Sequence, residues 1–218
     1  MTLKLLFTGT GASATGGYAA YTTAAGLECG HEKIFGPHDY AVSMENMNHP
    51  TAREAESSWL AAPFVDRPEL AETLVVLLVR HPRKVLGTMA RVRPGGGRYW
   101  LYAAIWLPRL LDLGHTWDGF AYRYVTWNRM IEERMAARKH ITWIVDDTDP
   151  LVLLAELQRN GLKLTINPMH EVYQKRGINR HMRSREGKPQ YAFELNKLTD
   201  VEIRRDLENM AERYGYSW

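Results

Sequence analysis

Cysteine is almost missing from this sequence: among 218 residues Cys29 stands alone. No disulfide can therefore close within the chain, and a cysteine-built zinc cluster is excluded. No run of eighteen uninterrupted apolar residues occurs, which leaves no candidate membrane-spanning helix. Net charge is small, 28 Lys and Arg against 25 Asp and Glu for a formal +3, and mean hydropathy is −0.38. There is no acidic block, low-complexity tract, internal repeat or long heptad pattern, so a charged disordered tail is excluded by composition. The apolar start, Met1 to Phe7, meets Gly9 before a signal peptide's apolar region could be completed. A cytoplasmic protein is expected. With 45% hydrophobic residues the chain can bury one sizeable core, so a single domain spanning 1–218 is expected.

The charge that is present is unevenly placed. Arg80, Arg83, Lys84, Arg91, Arg93 and Arg98 follow one another with no carboxylate between them. Such a stretch attracts an anionic ligand or nucleic acid, or is simply a solvated face. Lys4 to Thr8 reads as a short buried strand, Gly9 to Gly17 as a glycine-rich loop, and Tyr18 to Ala25 as a helix closed by Gly26. A helix is expected over Thr51 to Ala61, because Ala52, Ala55, Trp59 and Leu60 fall near one helical face. Thr73 to Val79 is a Leu and Val run of the kind that a central parallel strand shows when both its faces are covered. It delivers Arg80 at its carboxyl end.

Phe120, Tyr124, Trp127, Ile131 and Met135 recur at helical spacing and form an aromatic core stripe on a long helix up to about Arg138. Ile141 to Val145 and Leu162 to Ile166 read as strands. Between them, Asp149 caps a helix whose first residue is Pro150 and which ends at Gly161. A final helix opens on the capping-box pair Thr199 and Glu202 and stops at Gly215. Residues 93–98 and 180–190 read as loops that could close over an anion. Strands alternating with helices predict a three-layer α/β fold with a mainly parallel central sheet flanked by helices.

A glycine loop between a first strand and a helix lets backbone amides approach a phosphate at the helix's positive end. Gly11 to Gly16 has the glycine spacing of an ATP-binding loop, but Gly17 and Tyr18 stand where lysine and Ser/Thr are required. Gly9 to Ala14 also fits a dinucleotide pattern, with Glu28 near the distance of a ribose-binding acid. An NAD(P)-dependent oxidoreductase therefore stays open at this point. Asp146, Asp147 and Asp149 raise a magnesium site and His31, His38 and His49 a zinc site, but neither set has the compact spacing of a metal motif.

Thr8 to Tyr18, taken with Leu78-Val79-Arg80-His81-Pro82-Arg83-Lys84-Val85-Leu86-Gly87-Thr88, resembles the two donor-binding motifs of sulfotransferases that use 3′-phosphoadenosine 5′-phosphosulfate (PAPS), particularly the bacterial and carbohydrate-modifying branches. The resemblance implies a P-loop-like fold. It also implies a 5′-phosphosulfate loop at Gly11, Ala12, Ser13, Ala14, Thr15 and Gly16, and a 3′-phosphate contact from Arg80 and Thr88, with further donor contacts from Arg176, Gly177 and Arg180.

The implied reaction moves a sulfonate from PAPS to a hydroxyl or amine of a small-molecule or carbohydrate acceptor. It releases adenosine 3′,5′-bisphosphate (PAP) and needs no metal, membrane or nucleic acid. Glu32 is the first candidate base, and His31 is the second; on an extended segment their side chains would point oppositely and could not serve one atom. His49 is a further acceptor-side candidate.

Three positions depart from the family pattern. Ala12 stands where lysine or arginine is usual, Ala14 replaces a glycine, and Thr88 replaces a serine. Without the loop cation, activity requires another base such as Lys33 or Arg123 to reach the site; otherwise the chain is a catalytically impaired PAPS/PAP-binding relative.

Overall fold

The computed structural model describes residues 3–36, 40–48, 53–92, 97–146, 148–165 and 193–218. Five strands make one all-parallel sheet: β1 (Leu5–Gly9), β2 (Cys29–His31), β3 (Ala55–Ser57), β4 (Leu74–Val79) and β5 (His140–Ile144), in the order β2-β3-β1-β4-β5. The helices are α1 (Thr15–Ala24), α2 (Tyr40–Asn48), α3 (Pro82–Val92), α4 (Gly97–Trp106), α5 (Leu110–Leu113), α6 (Trp117–Met135), α7 (Pro150–Arg159) and α8 (Val201–Arg213). A 3₁₀ helix, Trp59–Phe64, follows β3.

The central strands are apolar without alternation because both faces of the sheet are covered. Leu5 and Phe7 of β1 and Val76 and Leu78 of β4 point to one face, where they pack with Tyr18 and Tyr21 of α1 and Leu153, Leu154 and Leu157 of α7. Leu6, Val75, Leu77 and Val79 point to the other face and meet Val85 and Leu86 of α3, Tyr124, Trp127 and Ile131 of α6, and Leu207 and Met210 of α8. The result is the expected α/β architecture of a parallel sheet between helical layers. Among the described residues, no helix is long and apolar enough to cross a membrane.

Several expected ends and caps agree with the structure. Asp149 accepts from Leu151 N–H at 2.9 Å with Pro150 opening α7, and Gly161 and Gly215 follow their helices with φ of 90° and 78°. The stripe Phe120, Tyr124, Trp127, Ile131 and Met135 is buried.

Other expectations are corrected. α1 begins at Thr15, three residues before Tyr18. The last helix is capped by Asp200, which accepts from Glu202 and Ile203 N–H at 3.0 and 3.1 Å, while Thr199 donates to Asp118 instead. The helix expected over 51–61 is the strand β3 followed by the 3₁₀ turn. β3 is wedged between β1 and β2, and its polar side chains are buried with fixed partners: Ser57 donates to Thr15 O at 2.7 Å, and Glu56 receives two backbone N–H groups. Residues 162–165 form no strand; they are tied to α7 by Leu162 N–H to Leu157 O at 3.1 Å and Gln158 Nε2 to Leu164 O at 2.8 Å, and to the end of α1 by Thr165 N–H to Ala25 O at 2.7 Å. Position 166, the loop at 93–96 and the segment 180–190 lie outside the described residues, whereas Gly97 and Arg98 open α4.

Candidate functional site

A parallel sheet gathers the carboxyl ends of its strands along one edge. The connection after β1 leads toward β2 and β3, and that after β4 leads toward β5. β1 and β4 stay paired up to Gly9 and Leu78, so the connections leaving them diverge at their carboxyl ends and flank a crevice there, the place where such sheets bind ligands.

The Gly9 to Ala14 loop lines one side of the crevice. Gly9 is required by crowding, since a Cβ there would lie 2.4 Å from Leu78 O and 2.6 Å from Ser13 Oγ. Ser13 N–H donates to Thr10 O at 3.1 Å, and Gly17 and Tyr18 N–H both return to Ala14 O. Ala12 and Ala14 hold φ of 72° and 70°, a left-handed conformation that side chains disfavour. No side chain caps α1, so apart from Gly17 its first-turn N–H groups are left as a helix start leaves them. Ser13 is fully buried, and its Oγ has no hydrogen-bond partner among the described residues.

The other side is the end of β4. Arg80 Nη1 donates to Ala12 O at 3.2 Å, its Nε lies 3.6 Å from Asp146, and its carbonyl accepts from Tyr124 at 2.9 Å. Asp146, just past β5, also accepts from His81 N–H at 2.6 Å and Lys84 Nζ at 2.5 Å. Burial alone would raise this carboxyl, but the hydrogen bonds from His81 and Lys84, with the Arg80 charge, hold it below the usual carboxylate range. Thr88 Oγ1 is engaged within α3, donating to Lys84 O at 2.8 Å and accepting from Arg91 at 3.1 Å. Of the expected bases, His31 ends β2 and Glu32 follows it.

His31 Nε2 is 3.3 Å from Thr15 Oγ1 and 3.8 Å from Glu32 Oε1, and Tyr99 donates to Glu32 Oε2 at 3.4 Å. The expectation of opposed side chains is overturned. Glu32 has φ of 53°, so the segment is not extended there and the turn brings both groups together. Gly16 faces the same ring: a Cβ on it would stand 3.4 Å from His31.

Two site residues escaped the sequence reading or were only named by it. Glu56 is fully buried, and its Oε1 accepts Lys33 and Ile34 N–H at 2.6 and 3.1 Å, which anchors the turn that carries Glu32. Gly30 leaves room for this carboxyl, since a Cβ there would fall 2.0 Å from Glu56 Oε2 and force the side chain to move. Burial pushes Glu56 up to about 7 despite the Ile34 and Lys33 amides and Arg53, which pull it down. Nothing in the sequence marks a buried carboxylate in a three-residue strand.

Arg123 projects from α6 with 7% of its surface exposed. Its guanidinium lies 4.4 Å over the Trp59 ring, and a Cβ on Gly11 would come within 3.0 Å of Nη2. It forms no ion pair or hydrogen bond among the described residues, and burial lowers it to about 10, so it remains charged at neutral pH. Lys33, the other cation considered, is exposed.

Arg176, Gly177 and Arg180, like His38, His49 and Asp147, lie outside the described residues. Among the described residues, no three His, Cys, Asp or Glu side chains gather as a metal-holding group. Compared with protein-family models, curated proteins and solved structures, the chain matches none.

Proposed function

We propose that this chain transfers a sulfonate group from PAPS to a hydroxyl or amine of a small-molecule or carbohydrate acceptor, on a P-loop-like version of the parallel α/β fold. The observation that carries the reading is the contact between Arg80 and Ala12, 3.2 Å across the crevice between two motifs 68 residues apart. A ligand with phosphate at both ends of an adenosine calls for an amide-rich loop and an arginine fork on adjacent strand ends, and these two elements supply them. The polar groups available fit that donor: the buried Ser13 hydroxyl lacks a partner among the described residues, and the loop amides precede an uncapped helix.

In the reaction, a lone pair of the acceptor oxygen or nitrogen attacks sulfur as the bond from sulfur to the 5′-phosphate oxygen breaks. The bond's electron pair stays on that oxygen, and PAP departs. The acceptor proton passes to the Glu32 carboxylate, with His31 within 3.8 Å and Tyr99 within 3.4 Å to orient it.

The nicotinamide alternative is disfavoured by position. Glu28, its ribose acid, precedes β2 at the sheet edge opposite the glycine loop and pairs with Arg53 at 3.1 Å. Calorimetric titration tests the choice: PAP is expected to bind, and NAD and NADP are not. Arg80→Ala should weaken PAP by about tenfold or more, the effect of one lost charge-assisted contact. Binding of NAD without PAP would sink the proposal.

A further inference from the structure

We infer that Arg123 is a catalytic residue: it binds the anionic group held by the glycine loop and supplies from α6 the positive charge that Ala12 withholds from the loop itself. A guanidinium buried to 7% exposure with no counter-ion among the described residues is an unfavourable arrangement for the ligand-free protein, because an uncompensated buried charge destabilises the fold. Here the head group lies 4.4 Å over Trp59, whose face helps hold it, and it stands so close to Gly11 that a Cβ there would come within 3.0 Å of it. It is thus a cation aimed at a loop whose helix start and buried Ser13 hydroxyl also await an acceptor. One oxyanion at this point answers all of them.

The inference rests on the sulfonate-transfer reading for the bound group's identity, which would be the 5′-phosphosulfate. Arg123 would then stabilise the charge that collects on the phosphate oxygen as its bond to sulfur breaks. The anion site itself needs only the geometry.

Thermal melting with inorganic pyrophosphate, then with PAP, separates these points. Wild-type protein should be stabilised by both, by an amount that rises with the logarithm of ligand concentration above the Kd. Arg123→Met should melt higher than wild type without ligand, having lost the uncompensated charge, and should gain little from pyrophosphate. Arg123→Lys should recover part of the response. Gly11→Ala, which crowds the guanidinium without removing it, should also weaken the response and serves if Arg123→Met does not fold.

Pyrophosphate stabilisation of Arg123→Met equal to that of wild type overturns the inference, as does a wild type indifferent to pyrophosphate. Where Arg123→Met does not fold, a Gly11→Ala response equal to wild type overturns it as well. A wild type that answers to pyrophosphate but not to PAP leaves Arg123 in place and removes PAPS as the donor.

Discussion

Glu56 lies in the middle of β3, between β1 and β2, and only one of its oxygens has a partner among the described residues. Its carboxyl is raised to about 7 by burial first, opposed by the Ile34 and Lys33 amides and by Arg53, with Glu32 adding repulsion. A carboxyl raised in the folded state binds its proton more tightly there than when unfolded. Its contribution to stability is therefore complete below about pH 4.5 and is lost as pH rises through 7. Urea unfolding at pH 5 and pH 8 should show wild-type protein losing about 2.5 kcal/mol that Glu56→Gln does not lose; parallel losses in the two proteins would contradict this. Glu32→Gln tests the neighbour whose turn Glu56 holds: turnover should fall by about 10²–10⁴-fold with PAP affinity nearly unchanged, read by separate rate and binding measurements. At this scale the sequence was legible where a residue's place in the fold is set by its chain neighbours. Arg80 could be placed because it ends an apolar run, and Ser13 because it lies among glycines. Glu56 could not be found and Arg123 could not be chosen over Lys33, because their burial is created by segments distant in the chain.

The glycine loop and α1 act as one element whose conformation conflicts with its composition. Ala12 and Ala14 hold φ near 70°, and Ala14 is also the uncapped residue before α1. A left-handed alanine costs about 1–2 kcal/mol, part of which glycine returns through its larger unfolded-state entropy. Ala12→Gly and Ala14→Gly should each stabilise the protein by about 1 kcal/mol in chemical denaturation, and an unchanged or lower midpoint would mean the loop bears no such strain. The same balance of local and distant forces decided which elements could be read. α6 and α7 were legible from periodicity and caps, and β1 and β4 from uninterrupted apolar runs. β3 was misread because Ala55, Trp59 and Leu60 mimic a helical face across what is a three-residue strand and a 3₁₀ turn. α4 was missed because its first residue, Gly97, continues a Pro-Gly run that reads as a break.

Across the whole molecule the crevice draws on four strand ends, on α6 and on the segment after α8, so its geometry depends on packing far from any one motif. Tyr216 is the clearest link. Its hydroxyl lies 3.2 Å from Asp146 and 3.4 Å from Val79 O, and its ring is 4.8 Å from that of His81. Beside it Ser217 O lies 3.3 Å from His81 Nε2, and Trp218 carries Arg83 at 5.6 Å. These contacts brace the ends of β4 and β5, and Asp146 in turn holds His81 N–H and Lys84 near Arg80. Tyr216→Ala removes a ring that is 7% exposed and should cost about 3 kcal/mol of stability, as large-to-small core changes do. Tyr216→Phe keeps the ring and removes only the hydroxyl, so it should cost about 1 kcal/mol. If the brace positions Arg80, PAP affinity measured well below the melting temperature should fall in Tyr216→Ala and stay near wild type in Tyr216→Phe. Equal affinity in all three proteins would make Tyr216 a packing residue alone and leave the Arg80 geometry to Asp146 and Tyr124.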